Sequence, residues 1–199
     1  MKGLFAGNSK AQGALETLLE ELVSIEASAE DSSGGEFSLD PKFKERYDWF
    51  GFSDGACRGN PGPGAWGSVI QRPNEEVIFE GSGVEVQTTN NRMELQGAIE
   101  VLKFLLNEGL YEDGQRVILY SDSKYVVDGL TKWVSGWKKR GWKKADKKVP
   151  ENVEYWQELD HLAAQFSELK LHWVKGHAGH PQNEHCDQLA NKALDEAGF

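Results

Sequence analysis

The sequence predicts an α/β fold in which one five-stranded mixed sheet is covered by helices on both faces. Three strands follow one another with short links in residues 47–84, which indicates an antiparallel meander. Helices then alternate with two further strands in residues 88–196, as in sheets covered by helices. The 199 residues suit one domain with an appendage, and 39% hydrophobic and 27% charged residues are typical of a globular chain.

Apolar spacing and turn residues give the order of the elements. The meander comprises predicted strands at residues 47–53, 65–71 and 76–84, joined by turns that contain glycine or proline. Residues 88–107 place apolar side chains at helical spacing and stop before Gly109, which indicates a core-facing helix. The other predicted elements are a fully apolar strand at 116–121, a short helix at 123–130, a helix at 152–166, a strand at 169–174 and a helix at 183–196.

Residues 1–45 differ in composition from residues 46–199, which we expect to form the globular domain. Ser9 caps a predicted amphipathic helix over about residues 9–26, and a linker rich in Ser, Gly and acids follows it. An apolar helix face is unfavourable in water, so we expect it to be covered. The candidates for covering it are the chain's own domain, self-association with a second copy, and another protein partner. We expect residues 1–45 to be dispensable for activity.

Cysteine usage and hydropathy indicate a cytoplasmic protein. Cys57 and Cys186 fit neither a disulfide framework nor a Cys-x-x-Cys zinc site, which favours a reducing compartment. No apolar run approaches the roughly 20 residues that a membrane helix needs. We therefore expect no membrane association.

Charge is distributed unevenly along the chain. The formal net charge is -10, which by itself disfavours contact with nucleic acid. Residues 131–148, however, hold eight basic residues and one acid, interleaved with tryptophans. Attraction to a polyanion depends on the field within a Debye length of about 8–10 Å. The local excess of positive charge therefore determines whether this segment attracts nucleic acid, and the net charge of the chain does not. We expect this segment to contact nucleic acid.

Four acids lie at the ends of predicted elements. Asp54 and Asp122 end two strands, in alternation with buried apolar residues, and Glu94 and Asp187 lie in the first turns of two helices. Carboxylates that meet at one sheet edge lose hydration and repel one another unless cations lie between them. Oxygen-only ligands favour Mg²⁺ or Mn²⁺. The alternative is that each acid is only a capping or surface residue.

The histidines near the C-terminus admit two interpretations. His177, His180, His185 and Cys186 could be read together as a zinc site. The glycines on either side of His177 instead favour a pliable loop, and no second Cys or His pair lies at zinc-finger spacing. A mobile imidazole that transfers protons or helps product release is the preferred interpretation of His177.

Five segments resemble type 1 ribonuclease H of the bacterial type that carries a basic protrusion. The similarity runs in the family's order through about residues 46–197. The segments are Phe-Ser-Asp-Gly-Ala-Cys-Arg-Gly-Asn-Pro-Gly-Pro-Gly (52–64), Thr-Thr-Asn-Asn-Arg-Met-Glu-Leu (88–95), Tyr-Ser-Asp-Ser-Lys-Tyr-Val (120–126), the Trp- and Lys-rich segment 137–148, and Trp-Val-Lys-Gly-His-Ala-Gly-His-Pro-Gln-Asn-Glu-His-Cys-Asp (173–187).

The resemblance implies the ribonuclease H fold and a hydrolase, an endonuclease that cleaves the RNA strand of RNA–DNA hybrids. It implies catalysis with two Mg²⁺ ions, or Mn²⁺ in their place, that leaves 5′-phosphate and 3′-hydroxyl ends. By position, the metal-binding carboxylates are Asp54, Glu94, Asp122 and Asp187, and His177 is the catalytic loop histidine.

The same resemblance implies three groups of substrate contacts. One group lines the minor groove near the 2′-hydroxyl that distinguishes RNA from DNA, a second faces the DNA strand, and a third forms the basic protrusion. The groups are Cys57, Gly59, Asn60 and Asn91 in the groove, with Asn60 also near a DNA-strand phosphate; Thr89 and Asn90 at the DNA strand; and Trp133, Trp137, Lys138, Lys139, Arg140 and Lys143 in the protrusion.

Two features of the sequence depart from the family's pattern. Residues 1–45 lack the basic, aromatic signature of the family's N-terminal hybrid-binding module, and Lys124 stands where a neutral amide is common.

A catalytically silent nucleic-acid-binding domain is one alternative function. It is disfavoured because such a domain has no use for four converging acids. A DNA-cutting nuclease of the same architecture, such as an integrase or resolvase, is disfavoured by the basic protrusion and the Cys-Arg-Gly-Asn turn.

Overall fold

A five-stranded sheet lies at the centre of the computed structural model, which describes residues 38–176 and 179–199. The strand order is β3-β2-β1-β4-β5. The first three strands are antiparallel, whereas β1 and β4, and β4 and β5, are parallel, which confirms the predicted mixed sheet. The strands are β1 (Trp49–Cys57), β2 (Gly62–Gln71), β3 (Val77–Thr88), β4 (Arg116–Ser121) and β5 (Glu168–Trp173).

The described helices follow the predicted order with two additions, of which the first is a four-residue helix ahead of β1. Where one short helix was expected at residues 123–130, the chain forms a short helix, one π-helical stretch and a second short helix in succession. In the described part of the chain, no helix is both long and apolar enough to cross a membrane. The helices are α1 (Pro41–Lys44), α2 (Asn90–Asn107), α3 (Lys124–Asp128), the π-helix Gly129–Trp133, α4 (Val134–Lys139), α5 (Val153–Ala163) and α6 (Pro181–Glu196).

Both faces of the sheet are covered, as the sequence predicts. On one face, Trp49 and Leu119 pack in a core with Leu95 of α2 and Trp156 of α5. On the other face, strand residues pack with α1 and with Cys186 of α6. The alternation along the strands decides which side chains point to which face. The second core comprises Leu39, Phe43, Tyr47, Phe50, Phe52, Val69, Ile118, Tyr120 and Cys186.

Two glycines allow α2 and α6 to approach the middle of the sheet. A Cβ atom on Gly55 of β1 would overlap the backbone nitrogen of Glu94 in α2. A Cβ atom on Gly67 of β2 would overlap the carbonyl oxygen of Cys186 in α6. Any larger residue would therefore push a helix away from the strand that it covers. These contacts fix two helices, one on each face, against neighbouring strands.

The unit that contains the sheet begins earlier than the predicted boundary at residue 46. The chain divides into Met1–Ser38 and Leu39–Phe199. Leu39 and Phe43 are buried, and the Phe43 ring packs against His172 with ring centroids 5.1 Å apart. The sequence prediction missed these contacts because α1 is only four residues long and lies next to a polar segment. The predicted helix over residues 9–26 lies outside the described residues.

We predict that two shortened proteins, one beginning at Leu39 and one at Glu45, differ in their free energy of unfolding. The protein that begins at Glu45 should be less stable than the one that begins at Leu39 by at least about 3 kcal/mol, because it loses the buried side chains of Leu39 and Phe43. Urea denaturation of both measures the difference. Full-length protein carrying Lys42→Ala, at an exposed position in the same helix, is the control. Equal stability of the two shortened proteins would show that α1 contributes nothing to the fold.

Candidate active site

The site lies where the parallel ladder between β1 and β4 ends. The last paired residues are Ser53 and Ser121. Asp54 follows within β1, which continues to Cys57 rather than ending at Asp54 as predicted, and Asp122 directly follows the end of β4. Glu94 of α2 and Asp187 of α6 join them from the two helices. All four predicted carboxylates line one cavity of about 360 Å³. The described residues that line it include no basic side chain: they are Asp54, Gly55, Ala56, Asn90, Glu94, Asp122, Asp187 and Asn191.

Asp54 is the most electrostatically unfavourable of these acids. Its side chain is buried, with the residue only 7% exposed. Loss of hydration, followed by the charge of Asp122, raises the pKa of Asp54 to about 8, and Asp187 adds to this effect. The amide N–H of Gly55 donates to Oδ1 over 2.7 Å and partly opposes the shift. Burial and the neighbouring acids therefore favour the protonated form of Asp54 more than in an ordinary aspartate.

Glu94 is fixed by one hydrogen bond to each carboxylate oxygen. The Asn90 side-chain amide donates to Oε1 over 2.8 Å, and the Ser123 hydroxyl donates to Oε2. Burial raises the pKa of Glu94 above its usual value, and the charge of Asp122 adds to the rise. The Ser123 hydrogen bond opposes it. The result is a carboxylate whose orientation is set by α2 and by the first turn of α3.

Two asparagines flank Asp187 on α6 and hold carboxylates in place. The Asn183 side-chain amide donates to Oδ2 of Asp54 at 3.4 Å, and the Asn191 amide donates to Oδ1 of Asp187 at 2.8 Å. The sequence prediction did not include Asn183, Asn191 or Ser123. The spacing of four residues between Asn183, Asp187 and Asn191 is the signal that identifies one helix face.

The donor set fits a hard divalent cation. Every charged group in the cavity is a carboxylate, and burial together with mutual repulsion makes the site favourable for positive charge. Among the described residues, no three His, Cys, Asp or Glu side chains converge on one point that would hold a metal ion. Asp54, Glu94 and Asp187 are each oriented by hydrogen bonds from the protein.

The histidines do not form the alternative zinc site in the described part of the chain. The His180 ring packs against Phe52 and Tyr120, with centroid distances of 5.7 and 5.5 Å. Burial, followed by the charge of His172, lowers the pKa of His180. His185 instead points to Glu80 of β3, with 3.1 Å between Nε2 and the carboxylate.

His177 lies outside the described residues, so its catalytic role stays a prediction. Gly176, the residue before it, lies against the site: a Cβ atom there would overlap the Asp122 carboxylate. The loop therefore reaches the acid cavity at the position directly before His177.

The predicted groove residues lie on two adjoining segments. Cys57, Gly59 and Asn60 belong to the end of β1 and the turn that follows it, and Thr89 is the N-cap of α2. The backbone N–H of Asn90 donates to the Asn60 side chain over 3.3 Å, which joins the turn to the helix. Asn91 is exposed beside them, whereas the Asn90 side chain is directed to Glu94. Asn90 therefore belongs to the acid cavity as well as to the predicted groove.

The basic protrusion is built on an aromatic base. Trp133 is 38% exposed, and its ring lies 6.0 Å from Trp137, which in turn packs 5.7 Å from the buried Trp156. The tryptophans therefore connect the protrusion to the core as well as offering aromatic surface.

The predicted cations of the protrusion fall into two kinds. Lys138 forms an ion pair with Asp160 at 2.7 Å, which reduces the charge that it offers to a ligand. Lys139, Arg140 and Lys143 are exposed, and within residues 38–176 and 179–199 no ion pair involves them. These three therefore present most of the free positive charge among the predicted contacts.

Comparison with known proteins gives consistent matches over the folded unit. The RNase H family profile matches residues 47–195. A Ribonuclease H of Agrobacterium fabrum is 54% identical over 144 residues, which span 72% of this chain and 92% of that protein.

Solved structures match at similar coverage. LC9-RNase H1, described as a type 1 RNase H with the type 2 active-site motif, has 34% identity and a TM-score of 0.65, covering 74% of this chain and 72% of that one. LC11-RNase H1, solved in complex with an RNA/DNA hybrid, has 26% identity and a TM-score of 0.60, covering 76% of this chain and 99% of that one.

Proposed function

Because the chain belongs to the ribonuclease H family, a family of metal-dependent nucleases, we propose that it is an endoribonuclease that hydrolyses the RNA strand of RNA–DNA hybrids. The observation that carries the proposal is the meeting of four carboxylates from two strands and two helices in one cavity. LC11-RNase H1, of similar fold, binds an RNA/DNA hybrid. The proposed products carry 5′-phosphate and 3′-hydroxyl ends.

The proposed cofactors are two Mg²⁺ ions, which Mn²⁺ can replace. Asp54, Glu94, Asp122 and Asp187 would hold them. When bound, such ions lower the pKa of an attacking water and neutralise negative charge on the leaving 3′-oxygen. Positive charge in the cavity would also offset the burial and the neighbouring acid charges that raise the pKa of Asp54, so metal binding and ionisation of Asp54 favour each other.

The chain's own residues present the carboxylates in fixed orientations. The Gly55 amide and Asn183 orient Asp54, whereas Asn90 and Ser123 orient Glu94. Fixed ligands lose little conformational freedom on binding, which favours both affinity and positioning of the substrate. We propose that His177 transfers a proton or assists product release, so that His177→Ala lowers the rate without abolishing it.

Selection of RNA over DNA is proposed to occur at the surface formed by Cys57, Gly59, Asn60 and Asn91. This surface adjoins the acid cavity through Asn90, whose backbone bonds to Asn60 and whose side chain bonds to Glu94. Recognition of a 2′-hydroxyl there would place the RNA strand, rather than the DNA strand, at the carboxylates.

The proposed location is the cytoplasm. Cys57 and Cys186 are both free thiols, which fits this proposal.

The function is tested by offering labelled RNA–DNA, RNA–RNA and DNA–DNA duplexes with Mg²⁺ and with EDTA. We expect cleavage of the RNA strand of the hybrid alone, and only with Mg²⁺. Extension of the fragments by a polymerase tests for 3′-hydroxyl ends. Cleavage of the DNA duplex, or cleavage of the hybrid in EDTA, contradicts the proposal.

Asp54→Asn should abolish turnover and leave binding of the hybrid intact or stronger. The substitution removes a proposed metal ligand and one repulsive charge at the same position. Single-turnover cleavage and fluorescence anisotropy measure the two effects. Asp113→Asn, at an exposed acid, is the matched control. Near-normal turnover in Asp54→Asn would show that this carboxylate is not a metal ligand.

Neutralising Lys139, Arg140 and Lys143 together should raise KM more than it lowers kcat. Each lost phosphate contact should flatten the slope of log K against log salt by up to about 0.9. Lys138→Gln is the matched control, and it should change the slope less because Asp160 already pairs with this lysine. An unchanged slope in the triple variant means that the protrusion does not touch the duplex.

A further inference from the structure

Lys124 and Trp173 form a cationic feature beside the acid cavity, on the β5 side of β4. The Lys124 ammonium lies 4.8 Å from the centroid of the Trp173 ring. The indole N–H of Trp173 donates to the backbone carbonyl of Asp122 over 2.8 Å. Lys124 is exposed, and Trp173 is 40% exposed. Both residues are therefore accessible and tied to the strand end that carries a cavity carboxylate.

The charge of Lys124 is not neutralised by the protein that the structure describes. Within residues 38–176 and 179–199, no ion pair involves this ammonium. An exposed cation–π contact is weak, so the indole positions the ammonium without removing its charge. This differs from Lys138, whose charge is paired with Asp160.

The position of this cation has a consequence for an anionic strand. The cavity is lined by four acids, so a phosphodiester that approaches it meets repulsion. Lys124 follows Asp122 by two residues and lies outside the cavity lining. A positive charge at that place attracts a phosphate next to the cavity without competing for the carboxylates themselves.

We propose that Lys124, seated on Trp173, binds the phosphate of the RNA strand adjacent to the one that is cleaved. The inference rests on the proposed function and assigns a contact to it. Trp173 acts as a positioning residue, because it holds both the Lys124 ammonium and the backbone of Asp122. The contact sets the register of the RNA strand at the carboxylates.

The test compares hybrid binding by the full-length wild type, Lys124→Gln and Lys124→Arg, in EDTA so that no turnover occurs. Lys124→Gln should weaken binding about three- to tenfold at 0.1 M salt and flatten the salt slope by up to about 0.9. Lys124→Arg should restore both, since it keeps the charge. Lys170→Gln is the matched control: this lysine of β5 likewise lies over an aromatic ring, 4.6 Å from the centroid of Phe43 in the core that α1 covers.

A scan of the RNA strand with single neutral methylphosphonates locates the contact. At one position the substitution should weaken binding to the wild type and have no effect on Lys124→Gln. If Lys124→Gln binds like Lys170→Gln, or if no such position exists, the inference is wrong. A wild type that cleaves no hybrid with Mg²⁺ overturns the proposed function instead, so the two failures are distinguishable.

Discussion

Repulsion among four carboxylates is the constraint on which the site depends. Loss of hydration on burial, followed by the charges of Asp122, Asp187 and Glu94, raises the pKa of Asp54 to about 8. A cluster of this kind is unfavourable for the isolated chain because each acid loses hydration and faces like charge. The rest of the fold must therefore hold the acids together by packing. The same repulsion favours the binding of divalent cations. The acids that destabilise the metal-free fold are therefore the groups that would hold the metal.

Packing provides this restraint from both faces of the sheet. Helix α2 brings Glu94 against Gly55 of β1, and α6 brings Cys186, the residue before Asp187, against Gly67 of β2, so the two helices cover the sheet from opposite sides. Hydrogen bonds from Asn183 and Ser123 then orient the carboxylates. The cation-rich protrusion is separate from this cluster and is attached to the core through Trp137 and Trp156.

Periodicity and motif spacing were sufficient to predict the sheet, its mixed topology and the convergence of the acids. They succeed for Asp54 and Asp122 because alternation along a strand fixes the face of each side chain. Periodicity and spacing do not predict features that depend on contacts between residues distant in sequence. Burial of Phe43 depends on rings from β4 and β5 that are distant in sequence. The ion pair between Lys138 and Asp160 likewise forms between separate helices, so the sequence alone counted Lys138 among the free cations.

The most direct test of this account is an NMR titration of the Asp54 carboxyl group in metal-free protein and with Mg²⁺. A raised pKa means that the folded chain binds more protons than the unfolded chain between about pH 4 and 8, so metal-free stability falls as pH rises through this window. We predict that the pKa of Asp54 is near 8 without metal, that it is lower in Asp122→Asn, and that it decreases strongly when Mg²⁺ is added. A metal-free pKa near the usual 3.8, unchanged by Mg²⁺, would contradict this prediction.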